Sequence, residues 1–186
     1  MEAKRSRPRW TYAEFARLPS EGSTRYEVID GELAVTPAPT GAHQVVVAHL
    51  VRILGPFAYD NGLGLVLPAP IDVLFDEGDY FEPDVVFVRS GRTHLIGDRG
   101  IEGPPDLVIE ISSPSTAHRD RGIKLERYRH FGVPEYWIVD LDSRTVDVHR
   151  LSDGYVARTV PEGERVIWTP VSGEPTLQLR VADILP

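Results

Sequence analysis

The chain has 186 residues, with 28 acidic against 20 basic side chains for a formal net charge of −8, 41% hydrophobic and 26% charged residues. This suits one globular domain with a substantial core, and the acidity argues against a protein that coats nucleic acid without specificity. There is no cysteine, which excludes disulfide frameworks, thiolate nucleophiles and cysteine-ligated zinc.

No run approaches the roughly 18 apolar residues that a membrane span needs. The opening MEAKRSRPRW has basic residues with no apolar stretch behind them, so no secretory signal and a cytoplasmic address are expected. Residues 1–9 hold Lys4, Arg5, Arg7 and Arg9 against Glu2. They read as a flexible basic arm, solvated rather than ligand-binding, with residues 10–186 as a single domain.

Residues 10–18 form a short helix, with Thr11 and Glu14 as a capping box and Trp10 stapled to Phe15. Residues 25–35, with Asp-Gly at 30–31, read as a β-hairpin. Thr40 caps a long helix to about residue 58, with His43, Val47, Leu50, Leu54 and Phe57 along one stripe. Residues 65–75 then give strand material, residues 76–79 a turn, and residues 81–88 the answering strand. Residues 89–105 look like an irregular loop. An apolar strand at 106–112 leads to a helix capped by Ser115 and ended by Gly132, then to a buried strand at 135–140. Four more β segments follow, at 146–151, 155–160, 165–169 and 176–181. The expected fold is α/β (α+β): a mixed sheet flanked by helices, with an additional C-terminal β region. The unit spanning 106–140 should be a parallel crossover.

Several acids stand where a core should be. Along 81–88 side chains alternate, so Asp84 shares a face with Val86 and Val88. Along 106–112 Glu110 shares a face with Val108, while Leu107, Ile109 and Ile111 take the other. An unpaired carboxylate there would cost several kcal/mol. A divalent metal held by both acids is one compensation; water or an arginine at a strand end is the other. On the following helix Asp120, Lys124, Tyr128 and Phe131 fall on one stripe. Lys124 and Asp120 therefore turn inward near the strand bearing Glu110. A lysine beside two acids can orient or help deprotonate an attacking water and stabilise charge on a phosphoryl oxygen. The plain alternative is an exposed i, i+4 pair worth a few tenths of a kcal/mol. Glu27 could add a carboxylate or pair with Arg25 on the surface. His43, alone on an apolar stripe, is more often a hydrogen-bonded core residue than a ligand or base, and Asp72 is a weaker acid candidate. Serine-nucleophile elbows and phosphate-binding glycine loops are absent from the sequence.

Four segments together carry a family resemblance: Glu-Pro-Asp84-Val-Val-Phe; Pro-Asp-Leu-Val-Ile-Glu110-Ile-Ser-Ser-Pro-Ser-Thr; Asp120-x-x-x-Lys124-x-x-x-Tyr128; and Gly-Val-Pro-Glu-Tyr-Trp-Ile-Val-Asp140. The pattern resembles that of the large bacterial family of putative restriction endonucleases, a divergent branch of the PD-(D/E)XK nuclease superfamily. It extends through Tyr-Glu27-Val-Ile-Asp-Gly-Glu-Leu and the His43 helix, nearly the whole chain. The resemblance implies a restriction-endonuclease-like core and Mg²⁺-dependent cleavage of DNA, with Mn²⁺ able to substitute. Asp84 and Glu110 would then be metal ligands, joined by the Ile111 carbonyl. Ser112 stands where the superfamily pattern has lysine, and Lys124 would supply that group from the helix. Asp120, Glu27 and His43 would be auxiliary, with Asp120 holding the Lys124 ammonium. Enzymes that cut both strands commonly act as dimers, so a homodimer is expected. The alternative is an inactive nuclease-fold module that binds DNA or a protein partner.

Overall fold

The computed structural model describes residues 9–19, 24–76, 78–173 and 175–186. The basic residues of the expected arm before Arg9 lie outside the described residues. Helix α1 (Tyr12–Phe15) is a single turn whose capping box forms as expected, Glu14 Oε2 accepting from Thr11 N at 2.9 Å. Trp10 and Phe15 both pack around Val28, Leu74 and Tyr80. Strands β1 (Arg25–Ile29) and β2 (Glu32–Thr36) form the hairpin. Its two turn residues both have positive φ, Asp30 at 50° and Gly31 at 84°, the backbone that an Asp-Gly pair favours between twisted strands. Helix α2 (Gly41–Asp60) starts on the Thr40 hydroxyl, which accepts from His43 N. It buries His43, Val46, Leu50, Leu54 and Ala58, so the stripe is rotated slightly from the expected one.

The next region differs from a simple strand pair. Residues 65–75 divide into β3 (Gly64–Pro68) and β4 (Val73–Asp76), and residues 81–88 into β5 (Asp79–Phe81) and β6 (Val85–Arg89). Strand β3 pairs with β6, and β4 with β5, so each half joins a different sheet. The breaks contain Pro70 and Pro83, which have no N–H to give to a ladder. Part of the expected loop is also ordered: a 3₁₀ turn (Ser90–Leu95) precedes the small hairpin β7 (Ile96–Gly97) and β8 (Gly100–Glu102).

Strand β9 (Leu107–Ser112) is buried throughout. The helix after it begins at residue 117, behind Thr116 rather than Ser115, and is not uniform. It consists of α3 (Ala117–Arg119), a wide turn over Asp120–Lys124 kinked at Gly122, and α4 (Leu125–His130). Gly132, at φ 73°, ends it. Strands β10 (Glu135–Asp140), β11 (Thr145–Arg150), β12 (Arg158–Pro161), β13 (Arg165–Trp168) and β14 (Leu177–Arg180) complete the chain.

The larger sheet runs β12-β11-β10-β9-β6-β3, with β9 and β10 parallel across the helical crossover. The smaller runs β2-β1-β5-β4-β8-β7, and β13 pairs with β14. One face of the larger sheet, through Val85, Phe87, Ile109 and Trp137, packs on α2 and the C-terminal β region. Its other face, through Val86, Val88, Val108 and Ile138, packs with Phe81 and Ile101 of the smaller sheet and Tyr128 of α4. Two apolar layers of this kind supply most of the drive to fold. Among the described residues no helix is long and apolar enough to cross a membrane.

Candidate active site

Five segments of distant sequence meet between the two sheets. In the antiparallel β6–β9 pair Val85 faces Ile109. One step further along that register Asp84 stands opposite Glu110, and directly opposed residues share a face. Asp84 Oδ2 accepts from the Ile111 backbone N–H at 2.7 Å. From the smaller sheet, β1 presents Arg25 and Glu27 on one face. Arg25 donates from Nη1 to Asp84 Oδ1 at 2.8 Å and is anchored by Glu82, through Nε to Oε1 at 2.8 Å and Nη2 to the backbone oxygen at 2.6 Å. His43, in the first turn of α2, brings Nε2 to 3.0 Å from Asp84 Oδ2.

Lys124 lies at the centre. Its Nζ is 2.8 Å from Glu27 Oε1 and 2.8 Å from Glu110 Oε1, with all three side chains 5–7% exposed. Tyr128 donates its hydroxyl to the same Glu110 oxygen at 2.8 Å. The structure thus gives the lysine to Glu27 and Glu110, not to Asp120 as the helical spacing suggests. The wide turn kinked at Gly122 separates the ends of that i, i+4 pair. Asp120 is buried beside them, within reach of the Thr116 hydroxyl. Asp72 makes no direct bond to this group but lines an adjoining cavity that shares Arg25, His43, Glu82 and Asp84 with it.

The charges of this cluster are set by burial and by one another. Burial works against the Asp84 charge, but the His43 hydrogen bond, the Arg25 charge and the Ile111 N–H hold its carboxyl below the usual range. Burial pushes Glu110 up to about 8, opposed by Lys124 and reinforced by Asp84, Glu27 and Asp120. Asp120 is raised by burial too. Burial disfavours the Lys124 ammonium, yet Glu110, Glu27 and Asp120 overcome this and keep it protonated far above neutral pH. Such divergent shifts among adjoining groups are typical of chemically active sites.

The cluster lines a cavity of about 540 Å³, walled on its other sides by residues such as Pro37, Pro39, Pro114 and Leu141. Among the described residues no three His, Asp or Glu side chains form a ready metal cage. The donor chemistry nevertheless fits a hard divalent cation. Six carboxylates (Glu27, Glu82, Asp84, Glu110, Asp120, Asp142) stand against the three cations Arg25, Arg119 and Lys124, an excess of acids that is expensive to bury fully charged. His43 Nδ1, in the same cavity, is buried without a hydrogen-bond partner among the described residues, while the Ser112 hydroxyl lies against the Asp120 carboxylate.

The sequence matches the family Uma2, described as "Putative restriction endonuclease", over residues 12–182. The chain belongs to the Uma2 family. No curated protein matches it. Among solved structures, a protein from Anabaena variabilis described as "a putative nuclease belonging to DUF820" is similar in fold. The TM-score is 0.77 at 21% identity, covering 94% of this chain and 97% of that one.

Sequence reading singled out the acids and the lysine of this Uma2 chain but missed Arg25 and Glu82 as parts of the site. The available signal was the alternation Arg25-Tyr26-Glu27, which places the arginine on the face of Glu27. Tyr128 was legible as a core residue, but its hydroxyl contact with Glu110 was not.

Proposed function

We propose that the protein is a metal-dependent endonuclease that hydrolyses DNA phosphodiester bonds, using Mg²⁺, with Mn²⁺ as a substitute. The observation that carries this reading is the buried Lys124 ammonium held at 2.8 Å from Glu110, on the strand next to that of Asp84. The nuclease family and fold support the reaction class. Asp84, Glu110 and the Ile111 carbonyl would hold the cation. When bound, it supplies Lewis-acid polarisation of the phosphoryl group and a lowered pKa for water.

The protein's own groups have separate tasks. Lys124 stays protonated, so it acts as a hydrogen-bond donor to the attacking water and to the charge developing on phosphate, and not as a base. Glu27 and Glu110 fix the direction of that ammonium. Arg25 and His43 hold the two oxygens of Asp84 in place. Water adds to phosphorus and gives up a proton to solvent, the ester P–O bond breaks, and the departing alkoxide takes a proton from solvent to leave as the sugar hydroxyl.

Calorimetry with Mn²⁺ and Mg²⁺ tests the ligand assignment, followed by cleavage assays on single-stranded and duplex DNA. Asp84→Ala and Glu110→Ala should lose both metal binding and cleavage, whereas Lys124→Ala should lose cleavage and keep metal binding. Unchanged turnover in any of the three variants would overturn the reading.

A further inference from the structure

Three cationic side chains line the Asp84–Glu110 cavity among the described residues: Arg25, Lys124 and Arg119. Two are committed to acids, Arg25 to Glu82 and Asp84, and Lys124 to Glu27 and Glu110. Arg119 is different. Among the described residues no carboxylate oxygen lies within 4.0 Å of its guanidinium, and its side-chain hydrogen bond runs from Nη2 to the neutral Thr36 Oγ1 at 2.9 Å. Four of its five N–H donors are left over. Such an uncommitted cation is unexpected beside so acidic a cavity, where a guanidinium would ordinarily take a carboxylate.

A nucleic-acid strand approaching this site meets an excess of buried carboxylates. A cation outside the acid cluster is then needed to receive the phosphate. Arg119 has the right chemistry, since its planar fork matches two phosphate oxygens at once. Thr36 gives it a resting partner that a charge-assisted bond to phosphate readily outcompetes. We propose that Arg119 is a phosphate-receiving residue of this site, exchanging the Thr36 hydroxyl for the non-bridging oxygens of a nucleic-acid backbone. This rests on the nuclease reading and adds a substrate contact to it.

The test is fluorescence anisotropy of labelled mixed-sequence DNA, single-stranded and duplex, in Ca²⁺ so that binding is read apart from turnover. The salt dependence of the binding constant is recorded from 50 to about 200 mM, a range over which phosphate contacts are sensitive. Arg119→Gln should weaken binding and lower the magnitude of the log–log salt slope by about 0.9 on duplex or about 0.7 on single strands, the signature of one lost phosphate contact. Arg119→Lys should keep the slope while binding a few-fold more weakly. Thr36→Val, which removes only the resting partner, should bind as tightly as the intact protein or more tightly. If Arg119 merely ties β2 to α3, Thr36→Val will weaken binding as Arg119→Gln does and no slope will change. That result overturns the assignment and leaves the nuclease reading standing. No binding of either DNA form by the intact protein overturns both.

Discussion

Replacing Lys124 with methionine keeps the volume of the side chain and removes only its charge. In the intact protein the ammonium sits 2.8 Å from both Glu27 and Glu110. Deleting one member of such a buried pair costs about 3–5 kcal/mol when the remaining charge cannot be relieved. Glu110 is already raised to about 8 in the intact protein, so at lower pH it carries a proton with or without the lysine. Losing the ammonium raises it further, because Lys124 is the charge that opposes burial there. Each pH unit between the two values costs the variant about 1.4 kcal/mol more than the intact protein. The loss should therefore hold steady from pH 5 to 7 and grow by about 1 kcal/mol from pH 8 to 9. The sign follows from linkage: above about pH 8 the folded variant keeps a proton that the folded intact protein releases, so the loss grows as pH rises. For a protein of this size each kcal/mol shifts Tm by about 2–4 °C. Differential scanning calorimetry at pH 6, 7, 8 and 9, on the intact protein and the variant, measures the slope. A loss that is the same at every pH would refute the electrostatic account and make Lys124 a packing residue.

Two further expectations concern groups around the lysine. Tyr128→Phe deletes the hydroxyl donated to Glu110 while leaving its ring packed against Phe81 and Tyr136. Glu110, raised to about 8, is largely neutral at pH 7, and a lost hydrogen bond to a neutral group is worth about 0.5–1.5 kcal/mol, so thermal unfolding should drop by a few degrees at neutral pH; an unchanged Tm would argue against that bond. Asp72 is raised to about 6 by burial, with Glu82 and Glu27 adding to the effect, so the native state loses stability as pH rises from about 4 through 6. Asp72→Asn should consequently stabilise the protein at pH 7.5 by about 1 kcal/mol, discounted for the partial exposure of the site. The gain should vanish below about pH 4. Urea unfolding at the two pH values checks it, and a gain that persists in acid would contradict the assignment.

What could be read from sequence, and what could not, divides by range. The alternation within 81–88 and 106–112 puts Asp84 and Glu110 on apolar faces, and the structure places them opposite one another. Asp-Gly at 30–31 and the Thr11–Glu14 box are equally local, and both appear as read. The misread partner of Lys124 depended on a regular helix, and Gly122 breaks that regularity. The division of two expected strands into four depended on prolines set within long apolar runs, whose hydrophobicity hides the change of sheet. Arg25 could be placed on the face of Glu27, but its partners were beyond reach for a different reason. Its acidic partners Glu82 and Asp84 lie 57 and 59 residues further along the chain, and no local pattern encodes a contact between two sheets.

The segment Glu82-Pro83-Asp84 leaves one sheet and enters the other, so the acid at its end exists in its proper setting only when both sheets have formed. The contacts that complete the cluster are also remote: Lys124 reaches back to Glu27, and Arg25 reaches forward to Asp84. Such pairings form late, because long loops must close before they contribute. A chain emerging during synthesis holds both strand acids well before the lysine appears. Partly made or partly unfolded copies lack that arrangement, and under the proposed function they would be without activity until both sheets had formed.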